Sequence, residues 1–138
     1  MIQYLQNGSL GPKMVWIPAG DFQMGDIQGG GGSNEKPLHK VSIKRFAMGQ
    51  NEVTVREFRQ FVNATGYKTE AEKGNGCYVD KNGKGSWGYV KDANWRNPYF
   101  SPNDNHPVVC VSWNDAIAYA KCVIRQIRDS RVFSGMRI

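Results

Sequence analysis

The chain has 138 residues, 40% of them hydrophobic and 22% charged, which suits one folded domain and excludes a disordered tail. No run approaches the roughly 18 apolar residues of a spanning helix, and residues 1–20 lack the basic and apolar regions of a signal peptide, so neither a membrane span nor a leader is expected. The net charge of +6 is uneven: residues 1–120 carry 13 basic and 11 acidic side chains, residues 121–138 five basic and one acidic, so the body has no basic stripe and nucleic acid is not an expected partner.

Glycine is over-represented at 16 residues, beside 6 Pro and many Asn and Asp, which predicts a loop-rich fold with few long elements. Residues 13–17 (Lys-Met-Val-Trp-Ile), closed by Pro18-Ala19-Gly20, predict a strand and a turn, and Phe22 to Gly25 continues extended. Gly29 to Gly32, followed by Ser33 and Asn34, predicts a flexible loop with no packing to order it. Residues 40–44 alternate polar and apolar, as a half-buried strand should, with Phe46 at the apolar end.

Helix signals come next. Thr54 and Glu57 form a capping box, Val55, Phe58, Phe61 and Val62 share one face, and Gly66 supplies the stop. Residues 68–107 are rich in Gly, Asn and aromatics with weak periodicity, a length that in a compact domain is functional or held by aromatic packing. A second helix begins at the N-cap Ser112, with Asp115 supporting its first turn. Its expected buried stripe is Trp113, Ala116, Ile117 and Ala120, continued by Val123, Ile124 and Ile127.

No self-contained catalytic site emerges from these residues. The glycines of 25–33 are not followed by Gly-Lys-Ser/Thr and open no helix, so they are not a phosphate loop. His39 and His106 are far apart in sequence, and the ordinary reading of His106 within Asp104-Asn105-His106-Pro107 is a hydrogen-bonded loop histidine. Glu70 and Glu72, with Lys68 and Lys73, read as a solvated charged turn. Cys77, Cys110 and Cys122 show no metal spacing; Cys110 reads as a small buried hydrophobe, or one disulfide leaves a third cysteine over, with the pairing open. Tyr78, Trp87, Tyr89, Trp95, Tyr99 and Phe100 alternate with Gly and Asn, and suit either core plugs or a groove for an extended peptide.

Several segments in order resemble the formylglycine-generating enzyme family, the sulfatase-modifying factor domain. They are residues 14–20 (Met-Val-Trp-Ile-Pro-Ala-Gly), 22–25 (Phe-Gln-Met-Gly), 35–39 (Glu-Lys-Pro-Leu-His) and 51–54 (Asn-Glu-Val-Thr), leading into Phe58 and Phe61. Residues 66–73 (Gly-Tyr-Lys-Thr-Glu-Ala-Glu-Lys), 93–96 (Ala-Asn-Trp-Arg) and 106–116, with His106-Pro107-Val108-Val109 and Val111-Ser112-Trp113-Asn114-Asp115-Ala116, complete the set. The resemblance implies a loop-rich α+β domain akin to C-type lectins, incomplete at its C-terminus in this chain. It also implies oxidation of a sulfatase cysteine to formylglycine by molecular oxygen and a copper(I) ion held by two cysteines, a soft-ion preference that makes chemical sense. That copper pair belongs to the family's C-terminal half, and none of Cys77, Cys110 and Cys122 matches it. No catalytic or metal-binding residue is therefore expected in this chain, which is expected to be inactive alone.

The resemblance places the substrate-contacting segment at Gly76, Cys77 and Tyr78, with Trp87 near a second such position; the family favours Asp-Ser where this chain has Gly76-Cys77. A sulfatase-type peptide is the implied partner of the complete domain, and a non-catalytic binding or structural role on the same scaffold is the alternative. The similarity covers residues 13–121. Residues 122–138 depart from it: Cys122 stands where the family has Trp, and the segment reads as a shifted frame or truncated copy, or as a lineage-specific ending that docks on the core.

Overall fold

The computed structural model describes residues 11–126 and is an α+β arrangement of six short strands and two helices. The strands are β1 (Met14–Ile17), β2 (Gly20–Met24), β3 (His39–Ile43), β4 (Phe46–Gly49), β5 (Cys77–Asp80) and β6 (Trp87–Val90); the helices are α1 (Val55–Thr65) and α2 (Trp113–Gln126). All strands pair antiparallel in twos: β1 with β4, β2 with β3, and β5 with β6.

The first two pairs are one ribbon with a gap. Ile17 faces Phe46, and three positions further in Gly20 faces Ile43, so the register runs through unbroken. Pro18 sits at the gap, where it has no N–H to give to the ladder. Residues 46–49 thus form a strand where the sequence reading saw only a terminal Phe46. The loop beyond Met24 is also more ordered than expected. The Asp26 carboxylate accepts from the N–H groups of Gly29 (2.7 Å) and Gly31 (2.8 Å), and Glu35 accepts from Gly32 N–H. Hydrogen bonds to carboxylates replace the packing that glycine cannot provide.

Helix α1 follows its sequence signals closely. Glu57 N–H donates to Thr54 Oγ1, Thr54 N–H donates to Glu57 Oε2 at 2.8 Å, and Gly66 closes the helix at φ +66°. Val55, Phe58, Phe61 and Val62 are buried. Phe58 packs edge-to-face against Trp95 (5.3 Å) and Phe61 (5.4 Å) and stacks on Tyr119 (6.0 Å), forming the aromatic centre of the core.

Helix α2 starts where predicted but is rotated from the expected stripe. Trp113 is 76% exposed and Ala116 is exposed, whereas Asp115 and Tyr119 are buried, with Ala118, Cys122 and Val123 partly buried against the same cluster. The apolar pattern alone misses this rotation because a buried carboxylate occupies the core-facing position. The helix runs on to Gln126 through Val123 and Ile124; the expectations for Ile127 and for residues 128–138 lie outside the described residues. Among the described residues no helix is long and apolar enough to cross a membrane.

Candidate functional site

Two carboxylates fix the segment that leads into the site. Asp115 Oδ1 accepts from Tyr67 O–H (2.9 Å) and Glu70 N–H (3.1 Å), and its Oδ2 accepts from Ser112 N–H (2.9 Å). Burial first, and then the bond to Asp115, push the Tyr67 phenol up to about 12. Glu72 Oε2 accepts from Thr69 N–H (3.0 Å) and Trp95 Nε1–H (3.1 Å), while Oε1 accepts from Arg96 Nε–H (3.0 Å). Burial pushes the Glu72 carboxyl up, but the hydrogen bonds from Thr69, Arg96 and Trp95 outweigh it and hold the group below its ordinary range.

The solvated turn expected at Glu70 and Glu72 is therefore corrected. Glu70 accepts from Asn114 Nδ2 at 2.6 Å, and Glu72 is an inward capping group. The signal was present in the sequence: Thr69 and Glu72 repeat the spacing of Thr54 and Glu57, and a reciprocal capping box forms at both.

The turn at Ala71–Asn75 ends on Gly76, which delivers the chain into β5. Gly76 has φ +63°, and a Cβ there would drive into Val90 O and the Lys91 backbone, so both conformation and close approach require glycine. Cys77 is disulfide-bonded to Cys110, 33 residues away, with Cα atoms 5.5 Å apart, an ordinary separation for such a bond. This settles the pairing, and Cys110 is not the buried hydrophobe expected: it is half-buried and takes a left-handed backbone (φ +58°).

Strands β5 and β6 then form a hairpin that weak periodicity had hidden. Tyr78 faces Tyr89 and Asp80 faces Trp87, so these four share one surface, while Val79 is buried on the other. Tyr78 and Trp87 stack diagonally, centroids 6.2 Å apart and planes at 12°, although they are 64% and 62% exposed. Asp80 is turned to the hairpin tip, where Gly85 N–H foremost, with other tip amides, holds its carboxyl below the ordinary range. All four residues that the resemblance singled out, Gly76, Cys77, Tyr78 and Trp87, thus meet on this hairpin and its entry. The aromatic loop divides: Trp95, at 1% exposure, is core, whereas Tyr78, Trp87, Tyr89, Tyr99 and Phe100 are exposed.

The remaining candidates do not assemble. Asp104 pairs with Arg59 at 2.7 Å, and the two ring nitrogens of His106 lie within hydrogen-bond reach of Asn103. His39, at the start of β3, has its Nδ1 2.9 Å from Pro37 O. Among the described residues no three His, Cys, Asp or Glu side chains converge as a metal site. An apolar groove of about 360 Å³ lies between β1, β4 and the two helices; Met14, Phe58 and Val123 are among its walls.

Residues 4–127 match the sulfatase-modifying factor enzyme 1-like domain. The formylglycine-generating enzyme of Streptomyces coelicolor is 39% identical over 128 residues, covering 78% of this chain and 41% of that protein. The inactive C-alpha-formylglycine-generating enzyme 2 of Bos taurus is 36% identical over 128 residues, covering 78% of this chain and 42% of that protein. The solved structure of PvdO from Pseudomonas aeruginosa superposes with a TM-score of 0.58 at 32% identity, covering 83% of this chain and 40% of that one. The chain thus spans about two fifths of the length of these relatives.

Proposed function

The chain belongs to the sulfatase-modifying factor enzyme 1-like family, and on that premise we propose that the outer face of the β5–β6 hairpin receives an extended, cysteine-containing peptide of the sulfatase type. The observation that carries this reading is the Tyr78–Trp87 stack: two large rings kept in solvent yet already ordered against each other. Such rings give contact area at low entropic cost, because little side-chain freedom remains to be lost on binding. In this reading Gly76 aims the strand, Cys77 anchors it, and Tyr78 and Trp87 hold the peptide. Residues 13–121 contribute this face to a C-type-lectin-like domain.

The oxidation of the peptide cysteine to formylglycine belongs, in the proposal, to complete family members that hold copper(I) between two thiolates. The described residues do not fit that ion. Cys77 and Cys110 are consumed in a disulfide, which leaves Cys122, one sulfur where two are required. The chain is therefore read as a binding face that does not convert its ligand by itself.

A titration with a sulfatase-type peptide, read by calorimetry, tests this. The wild-type chain is expected to bind, the Tyr78→Ala/Trp87→Ala variant to bind at least about tenfold more weakly, and the peptide mass to stay unchanged with copper(I) and oxygen present. Equal binding by both proteins, or loss of the peptide thiol to an aldehyde, would overturn the reading.

The same donor set, together with 36% identity to an inactive formylglycine-generating enzyme 2, favours a second reading as a non-catalytic binding or structural member. It differs in selectivity: a general binding module takes unrelated extended peptides as readily as the sulfatase-type sequence, whereas the first reading requires preference for the latter.

A further inference from the structure

The hairpin carrying the proposed peptide face is a two-stranded sheet, an element that is marginal in water unless something else holds it. Its rings Tyr78, Trp87 and Tyr89 lie in solvent, and on the inner side Val79 is buried while Gly88 opposite it offers no side chain. Its covalent tie is the Cys77–Cys110 bond. Cys77 opens β5 beside Tyr78. Cys110 lies in a segment that is itself fastened to the start of α1: Val108 N–H donates to Val53 O (2.8 Å), and His106 O accepts from Val55 N–H (2.9 Å). With the bond from Arg56 N–H to Asp104 O (3.0 Å), one S–S bond and three backbone hydrogen bonds therefore link the aromatic face to the main helix.

We infer that the Cys77–Cys110 disulfide is a redox-operated fastener of the aromatic hairpin, opened by a dithiol reductant, with loss of the peptide face as the consequence. The inference rests on the peptide-binding reading above for its functional consequence, and on the disulfide alone for its structural one. In the step itself, a thiolate of the dithiol attacks one sulfur and the S–S bond breaks. The second thiol then closes the reductant into its own disulfide, and two electrons and two protons end on the Cys77 and Cys110 thiols. Both cysteines are half-buried rather than enclosed, which leaves an approach for a small thiolate. Opening removes the covalent cross-link between residues 33 positions apart and leaves the hairpin to its short ladder and the one buried side chain of Val79.

Hydrogen exchange read by mass spectrometry on the whole chain, with and without dithiothreitol, tests the fastening, and peptide titration of the same samples tests its consequence. On reduction the amides of residues 77–90 should exchange about tenfold faster or more, with residues 55–65 unchanged. Peptide affinity should fall by a comparable factor. The Cys77→Ser/Cys110→Ser variant should resemble the reduced protein under both conditions; where that variant does not fold, the reduced wild type supplies the same readout. Identical hairpin exchange in both redox forms, or loosening spread equally over α1, would overturn the inference whatever the peptide does. A hairpin that loosens on reduction in a protein that binds the peptide in neither form upholds the fastener and rejects the peptide-binding reading.

Discussion

The phenol of Tyr67 donates a 2.9 Å hydrogen bond to Asp115, a fully buried carboxylate 48 residues further along the chain. Through the same side chain Asp115 also holds the amides of Glu70 and Ser112, so one group joins the exit of α1, the turn before the hairpin and the start of α2. Replacing Asp115 by Ala leaves three donors without their acceptor. Chemical denaturation of Asp115→Ala should show a loss of about 2–4 kcal/mol, with Asp115→Asn in between because its amide oxygen still accepts.

Alkaline stability should carry the signature of two phenols. Tyr67 is raised to about 12, and Tyr119 is pushed well above the ordinary range, mainly by burial. A raised pKa means that the folded state keeps the proton after the unfolded chain has released it. The stabilisation is complete below about pH 10 and is lost as pH rises toward the folded values. The melting midpoint should therefore fall steeply between about pH 10 and 12, and Tyr67→Phe should make that fall shallower.

Glu72 works in the opposite direction. Its folded pKa is depressed on balance, so its contribution is present above the ordinary carboxylate range and disappears as pH falls through the folded value. Glu72→Gln weakens the bonds from Arg96 and Trp95 and should cost about 1–3 kcal/mol at neutral pH. The variant should also lose the part of the acid-induced destabilisation that Glu72 causes, which denaturation at several acidic pH values would measure.

The rotation of α2 reverses the sequence pattern for two aromatic residues, since the pattern puts Trp113 in the buried stripe and leaves Tyr119 out of it. Trp113 is 76% exposed, whereas Tyr119 is buried against Phe58 and Phe61. Trp113→Ser should change stability by less than about 0.5 kcal/mol, while Tyr119→Ala should cost about 3–5 kcal/mol. Thermal melts of the two variants side by side would check the assignment.

These contrasts indicate what a single sequence discloses. Helix α1 was legible throughout because cap, apolar face and terminal glycine coincide in one short segment, Thr54 to Gly66, and each signal is local. The position of α2 was legible for the same reason, but its facing was not: hydrophobic periodicity assigns Trp113 inward and has no means of placing a carboxylate in a core. Glu72 escaped notice because its neighbours Lys68, Glu70 and Lys73 make the segment look solvated, although the Thr69–Glu72 spacing was there to read. Tyr78 and Trp87 were legible as aromatics suited to core or groove, but only the family resemblance chose them, with Gly76 and Cys77, as a substrate-contacting segment. The disulfide beneath it joins residues 33 apart, a pairing that local pattern does not encode.

The most direct test of the proposed function is a photo-crosslinking footprint of a sulfatase-type peptide on the intact, oxidised chain, mapped by mass spectrometry. The account predicts adducts concentrated on Tyr78, Trp87 and Tyr89 of the hairpin face, competed away by unlabelled peptide. Adducts concentrated in the apolar groove near Met14, Phe58 and Val123, or scattered without competition, would contradict it.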